Sequence, residues 1–369
     1  MRTVCILAVA ILTLRSAVGA RVAGSDRDID RVPKAVARSV ATVPNVKEVP
    51  RTAARSPYID VHAHIEANSA AASVRAARDA MKSENAARIL LLPPPFTTAE
   101  ADRYDSEIIR DAIKRFPGTF AFLGGGGTLN GMIQDAVRTG NIGAEVRRTF
   151  TARAEEILRQ GAIGFGELTA EHFAGATTYQ YAPADHPLFL LLADIAADRN
   201  VVIDLHMEAV PRAMKLPVGL PSPPNPPELH DNIAAFERLL DHNRRARIGW
   251  AHAGADGIGH RTPELSRRLL RAHANLFMEL KLDPLKHGNN YPLADDGRIE
   301  PEWLRVLQEF PDRFVIGSDQ HYSMPAATTQ RWEAAVLLLN QLPEALARKI
   351  GYENAMSIYR LGSPASRIR

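Results

Sequence analysis

From residue 57 onward the chain alternates two kinds of pattern. Short runs of aliphatic and β-branched residues, at 58–62, 87–92, 119–123, 162–166, 201–205, 247–251, 276–282 and 313–317, predict buried strands. Between them, apolar residues recur every three or four positions and predict helices over 69–84, 99–116, 143–160, 187–199, 228–243, 262–273 and 301–310, with two more over 326–342 and 343–359. Pro93-Pro94-Pro95 stops the second strand run, and Thr262-Pro263-Glu264 is a helix-start signal. Eight strands separated by helices imply parallel strands joined by right-handed crossovers, and eight of these close into a (β/α)8 TIM barrel followed by C-terminal helices. An open doubly wound sheet is the competing topology. It is disfavoured because no Gly-x-Gly-x-x-Gly turn follows the first strand.

The polar residues that interrupt this pattern collect at strand ends. His62 and His64 end the first strand, on one side of an extended chain. Glu167 follows the fourth, His206 the fifth, His252 the sixth and Asp319 the eighth. In a parallel barrel these ends meet at one mouth, where active sites of this fold are built. Each residue alone has a plainer explanation, as a hydrogen-bonded core histidine or a helix N-cap. Together they are hard to explain as packing, and His62 and His64 make a ready pair of metal ligands, because neutral imidazole is a standard zinc ligand. Glu167 decides how many cations. As a ligand it would bridge two; otherwise it supports a ligand histidine from behind.

Composition changes the picture only at the N-terminus. Of the 369 residues 46% are hydrophobic, enough for one large core. A basic start at Arg2, an apolar run over 4–14 and the small residues Val18-Gly19-Ala20 predict a signal peptide over 1–20, and hence a secreted or periplasmic protein. Residues 21–56 lack a sustained apolar period and read as a poorly ordered linker ahead of a catalytic domain over 57–369. The lone cysteine, Cys5, lies within the predicted leader, so the mature chain would have no disulfide. Of 45 basic and 42 acidic residues, ten and four fall in residues 1–55, leaving 35 and 38 thereafter. The basic excess belongs to the leader and linker, and nothing supports nucleic-acid binding. The expected partner is a small-molecule substrate. No membrane span is expected once the signal is removed, and a homodimer is one expected assembly.

The motifs Asp60-Val61-His62-Ala63-His64, Asp204-Leu205-His206, Trp250-Ala251-His252-Ala253-Gly254 and Ile316-Gly317-Ser318-Asp319, with the tail Gly351-Tyr352-Glu353-Asn354-Ala355-Met356-Ser357-Ile358-Tyr359, resemble the amidohydrolase superfamily. The resemblance is to its amidohydrolase-related branch of metal-dependent barrel hydrolases and decarboxylases, and it covers about residues 57–361. It implies that His62, His64 and Asp319 bind one metal, that His206 is a further ligand, and that His252 binds a second metal or polarises substrate. Asp319 would also take a proton from metal-bound water. Zinc suits the set, with manganese and iron as alternatives. The implied activity is a hydrolase in which metal-activated hydroxide attacks an amide, ester or lactone carbonyl. The alternatives are a metal-dependent non-oxidative decarboxylase of an aromatic or enol acid, and a barrel that binds ligand without catalysis. Lys281 reads as a solvated strand-end lysine that would otherwise pair with an anionic substrate. Arg212, His260, Arg261, His321 and Tyr322 are further candidates to line the mouth. The Pro-rich loop over 207–227 is long enough to shape substrate choice. Gly124–Gly127 reads as a permissive turn, since no Lys and Ser/Thr follow as in a phosphate loop.

Overall fold

A computed structural model describes residues 54–98, 104–173, 178–255, 257–282, 290–322 and 330–362. The expected signal segment and all but the end of the expected linker lie outside the described residues.

Eight strands form the barrel: β1 (Tyr58–His64), β2 (Ala86–Leu91), β3 (Phe120–Phe122, resumed after Leu123 as Gly124–Gly125), β4 (Gly164–His172), β5 (Val202–Met207), β6 (Arg247–Ala253), β7 (Leu276–Leu280) and β8 (Phe314–Ile316). Every neighbouring pair is parallel. The first piece of β3 pairs with β2, and its second piece pairs with β4 through Gly124 opposite Phe165 and Gly125 opposite Gly166, which closes the ring. The glycine run is therefore partly strand rather than a free turn. Its glycines are needed because a Cβ on Gly126 would lie 2.4 Å from the Pro93 carbonyl oxygen and 2.9 Å from that of Glu167.

Around the ring lie α1 (Ala70–Glu84), α2 (Ser106–Ile113), α3 (Leu129–Thr139), α4 (Ala144–Arg159), α5 (Pro187–Arg199), α6 (Ile233–His242), α7 (Pro263–Ala272), α8 (Pro301–Glu309) and α9 (Gln330–Gln341). Their termini follow local chemistry. In α7 Thr262 accepts from Leu265 N, with Pro263 in the first turn, and α1 and α5 end at Asn85 and Asn200 in the left-handed conformation. The large apolar cluster lies between helices and ring, for example Ile248 and Trp250 of β6 against Phe236 of α6.

A second apolar cluster fills the barrel itself: Ile59, Val61, Leu90, Leu92, Leu123, Val202 and Val315, with Ala355, Ile358, Tyr359 and Leu361 from the C-terminal segment. The helix expected over 343–359 is broken into α10 (Glu344–Arg348), a π-helical turn over Lys349–Glu353, and α11 (Asn354–Ile358). Asn354 Nδ2 donates to the carbonyls of Pro311 and Phe314, both at 2.8 Å, tying the tail to β8. The tail thus plugs one end of the barrel, leaving the C-terminal strand ends as the mouth.

Several boundaries differ from expectation because strands β4 to β6 run longer than their apolar cores. Glu167, His206 and His252 lie inside their strands, not after them. Helix α3 was not anticipated, because its buried face carries Asn130 and Gln134 beside Leu129, Ile133 and Ala136. Glu228 and Leu229 open no helix. They pair antiparallel with Met214 and Lys215, making a ribbon within the Pro-rich segment. Among the described residues no helix is long and apolar enough to cross a membrane.

Candidate metal centre

All six anticipated side chains meet at the mouth, and all are buried. Glu167 is at their centre. Its Oε2 is 3.5 Å from both His62 Nε2 and His64 Nε2, and its Oε1 is 2.9 Å from His206 Nδ1 and 3.0 Å from His252 Nε2. Asp319 Oδ1 lies 3.1 Å from His64 Nε2 and 3.9 Å from His62 Nε2. Three groups of potential ligands follow among the described residues, His62 with His64 and Asp319, His62 with Glu167 and His252, and, behind the His62 ring, His62 with Asp204 and Glu279.

Local structure aims these atoms. Asp60 Oδ1 accepts from the backbone of His62 (3.2 Å) and Ser318 (2.9 Å), and its Oδ2 accepts from Ser318 Oγ at 2.5 Å. That carboxylate joins β1 to the turn after β8, and Asp319 N donates to the His62 carbonyl at 2.8 Å. Burial pushes the Asp60 carboxyl up to about 6, against the hydrogen bonds from Ser318. His252 and Asp319 both hold positive φ, at 67° and 53°. This left-handed conformation is uncommon for residues with side chains and costs about 1–3 kcal/mol.

The imidazole tautomers follow from hydrogen bonding. His64 Nδ1 donates to the Leu92 carbonyl at 2.9 Å, and His62 Nδ1 donates to Glu279 Oε2 at 3.0 Å. Both Nε2 atoms are then turned towards each other, at 3.2 Å. Two facing imidazole nitrogens with two carboxylates beside them need positive charge among them, a proton or a metal cation. The donor set therefore fits a divalent metal ion.

Electrostatics show how strongly the site demands positive charge. Burial opposes charge on His62, yet Asp204, Glu279 and Glu167 outweigh it and hold the imidazole well above its ordinary range, so a metal ion bound there would displace a proton. Burial opposes charge on Glu167, but His62 and hydrogen bonds from His206 and His252 hold its carboxyl well below the usual range. Asp319 is likewise buried yet held low, by Lys281 and then His64. Burial and Lys281 push His252 well down. Both carboxylates are thus ionised, as ligands must be.

The remaining candidates divide. Lys281 is not solvated. It is buried, and its Nζ pairs with Asp319 Oδ2, which Arg331 Nη1 also approaches at 3.2 Å. His321 lies tilted against His64, 4.5 Å between ring centroids, with Nε2 3.7 Å from Asp319 Oδ1. Arg261 is structural: it donates to the carbonyls of Ala251 (2.6 Å) and Met207 and lies over the Trp250 ring. Tyr322 packs on Trp332, and Arg212 is exposed. Three acidic residues were missed. Glu279 and Asp204 Oδ2 stand 3.0 and 3.4 Å from His62 Nδ1, and Glu208 Oε1 stands 3.7 Å from His206 Nε2. Their signal was present. Asp204 and Glu208 flank His206 at two-residue spacing, and Glu279 precedes Lys281 by two, so strand alternation puts Asp204 and Glu208 on the side of His206 and Glu279 on the side of Lys281. The ring of His172 lies tilted against that of His206, 4.6 Å between centroids, and burial lowers its pKa to about 4.

A search among curated proteins finds no match. Among solved structures the chain is similar to 2,6-dihydroxybenzoate decarboxylase complexed with 2,6-dihydroxybenzoate, at 12% identity and TM-score 0.51, covering 83% of this chain and 99% of that one. It is similar to 5-carboxyvanillate decarboxylase from Novosphingobium aromaticivorans complexed with manganese, at 11% identity and TM-score 0.47, covering 83% and 97%. It is also similar to a prolidase complexed with N-methylphosphonate-L-proline, at 15% identity and TM-score 0.45, covering 85% and 76%. The family described as amidohydrolase matches residues 59–361, which takes in every side chain of the centre described above, and the chain belongs to that family.

Proposed function

We propose that the protein is a metal-dependent hydrolase of a small-molecule amide, ester or lactone, with two cations sharing Glu167. One observation carries this reading: each oxygen of Glu167 faces a different pair of imidazoles, Oε2 towards His62 and His64 and Oε1 towards His206 and His252. That is how a carboxylate bridging two ions must be aimed. His62, His64 and Asp319 would complete one ligand set, and His206 and His252 the other. The cations, zinc by this donor set, would supply Lewis acidity, polarising a carbonyl and letting water lose a proton near neutral pH.

The chain's own residues would do the rest. Asp319, ionised and within reach of both histidines of β1, would take the proton of the attacking water and return it to the leaving group. Lys281 and Arg331 hold Asp319 Oδ2, which keeps its other oxygen turned towards His64. The Pro-rich segment after β5 packs Met214, Leu216 and Leu220 on Phe173, Val210, Leu229 and Ile258, an apolar patch on the mouth side that would limit water and select substrate. Export directed by residues 1–20 belongs to this reading and is supported by the sequence pattern alone.

Non-oxidative decarboxylation is the second reading. It is supported by the fold shared with 2,6-dihydroxybenzoate decarboxylase and by the buried Lys281, a cation able to meet a substrate carboxylate. The test is elemental analysis of wild type and Glu167→Ala, followed by turnover assays on lactones, esters, amides and hydroxybenzoates. The hydrolase reading expects two metals per chain, loss of at least one in Glu167→Ala, and hydrolysis without gas release. Carbon dioxide from a hydroxybenzoate, with no hydrolysis, would replace it with the second reading. Wild type without metal would favour a barrel that only binds ligand.

A further inference from the structure

We infer that Tyr359, in the C-terminal plug, is a positioning residue for the metal centre: acting through Glu279, it fixes the rotation of the His62 ring from beneath. The inference rests on the metal reading of the mouth and adds a component from the opposite end of the barrel.

The connection has two hydrogen bonds. Tyr359 Oη donates to Glu279 Oε1 at 3.2 Å, and His62 Nδ1 donates to Glu279 Oε2 at 3.0 Å. Each oxygen of Glu279 is thus held by a different partner, so the carboxylate cannot turn without breaking one of them. Asp204 Oδ2 lies farther from the same Nδ1, at 3.4 Å, and both acids add negative charge beside the ring. Glu279, at 3.0 Å, is the nearer and the one with a second hydrogen bond to the tail. The space is closed as well: a Cβ on Gly317 would lie 2.8 Å from Glu279 Oε2 and 3.0 Å from His62 Cβ.

The tail is anchored firmly enough to act as a base. The Tyr359 ring is buried in the interior apolar cluster, Asn354 grips β8, and a Cβ on Gly351 would lie 3.3 Å from Tyr58 Cβ, so tail and β1 are in close contact. A ligand histidine held at its remote nitrogen by an oriented carboxylate loses less freedom on binding metal, and loss of such a partner weakens affinity about 10- to 100-fold.

The test measures Zn2+ affinity of the full chain by competition with a chelator, for wild type, Glu279→Gln, Tyr359→Phe and the double variant, with the metal-free melting temperature of each. Glu279→Gln should weaken affinity by about 10- to 100-fold, and Tyr359→Phe by up to about tenfold. The double variant should be no weaker than Glu279→Gln alone, because Tyr359 acts through that carboxylate. A tail that only supports the fold would lower the metal-free melting temperature and leave affinity intact. Tyr359→Phe removes one oxygen from a packed ring, so it remains informative should Glu279→Gln fold poorly. Wild-type affinity in both single variants, or additive losses in the double variant, overturns this inference alone. A wild type that binds no metal overturns the reading of the mouth together with it.

Discussion

Glu167 organises the mouth because its two oxygens face different partners, but much of the precision comes from residues with little chemistry of their own. Gly317 is one. No side chain fits between His62 and Glu279, so Gly317→Ala should displace one of them and cost about 1–3 kcal/mol through overpacking. Urea denaturation with and without metal checks this; unchanged stability and unchanged metal affinity would show that the site can relax. Single residues are also where sequence reading was weakest. His62, His64 and Asp319 stand out because each interrupts an apolar strand at its end. Glu279 and Asp204 are equally buried; strand alternation puts them on the side of Lys281 and His206, but only the folded ring shows both carboxylates beneath His62. Lys281 was misjudged for a related reason: no local pattern records that Asp319, far along the chain, supplies its counter-charge.

Helices and strands were legible where one face is uniformly apolar or a cap is written locally. The Thr262 cap with Pro263 behind it is an example. Removing the hydroxyl in Thr262→Ala should cost about 1 kcal/mol, read as a shift in urea midpoint with unchanged slope. A null result would mean that tertiary packing alone fixes the start of α7. Helix α3 was illegible because its inner face makes polar contacts. Asn130 accepts from Thr169 N at 2.8 Å and Gln134 Nε2 donates to the Thr169 carbonyl at 3.0 Å, contacts that look like loop chemistry in one dimension. The ring's eight strands were each visible as a short apolar run. Their true lengths were not, because β4 continues through Glu167 to His172 on polar residues that only the mouth can satisfy.

At the scale of the whole protein, metal and folding should be linked. Ions that bind the folded chain alone stabilise it by about 4 kcal/mol when present at 1,000 times their dissociation constant. A chelator should therefore lower the melting temperature and abolish turnover, with both restored by added zinc; a melting temperature indifferent to metal would argue against ligation. Stability should also depend on pH through Glu171. Burial, opposed by hydrogen bonds from Asn232 and Tyr179, raises its carboxyl from 4.5 to about 7. The folded state then binds the proton more tightly than the unfolded chain. This contribution is fully present below pH 4.5, is lost as pH rises towards 7, and then levels off, on the order of 3 kcal/mol in all. Glu171→Gln should flatten that part of the stability–pH curve, and an unaltered curve would show that Glu171 is ionised throughout.

The C-terminal plug has a consequence for biogenesis. His62 is translated early, whereas the tyrosine that reaches it through Glu279 is among the last described residues to leave the ribosome. A nascent chain carries its first histidines for most of its synthesis before Glu279 and Tyr359 are there to orient them. Tight capture of a cation should therefore come late, once the plug has been translated and seated.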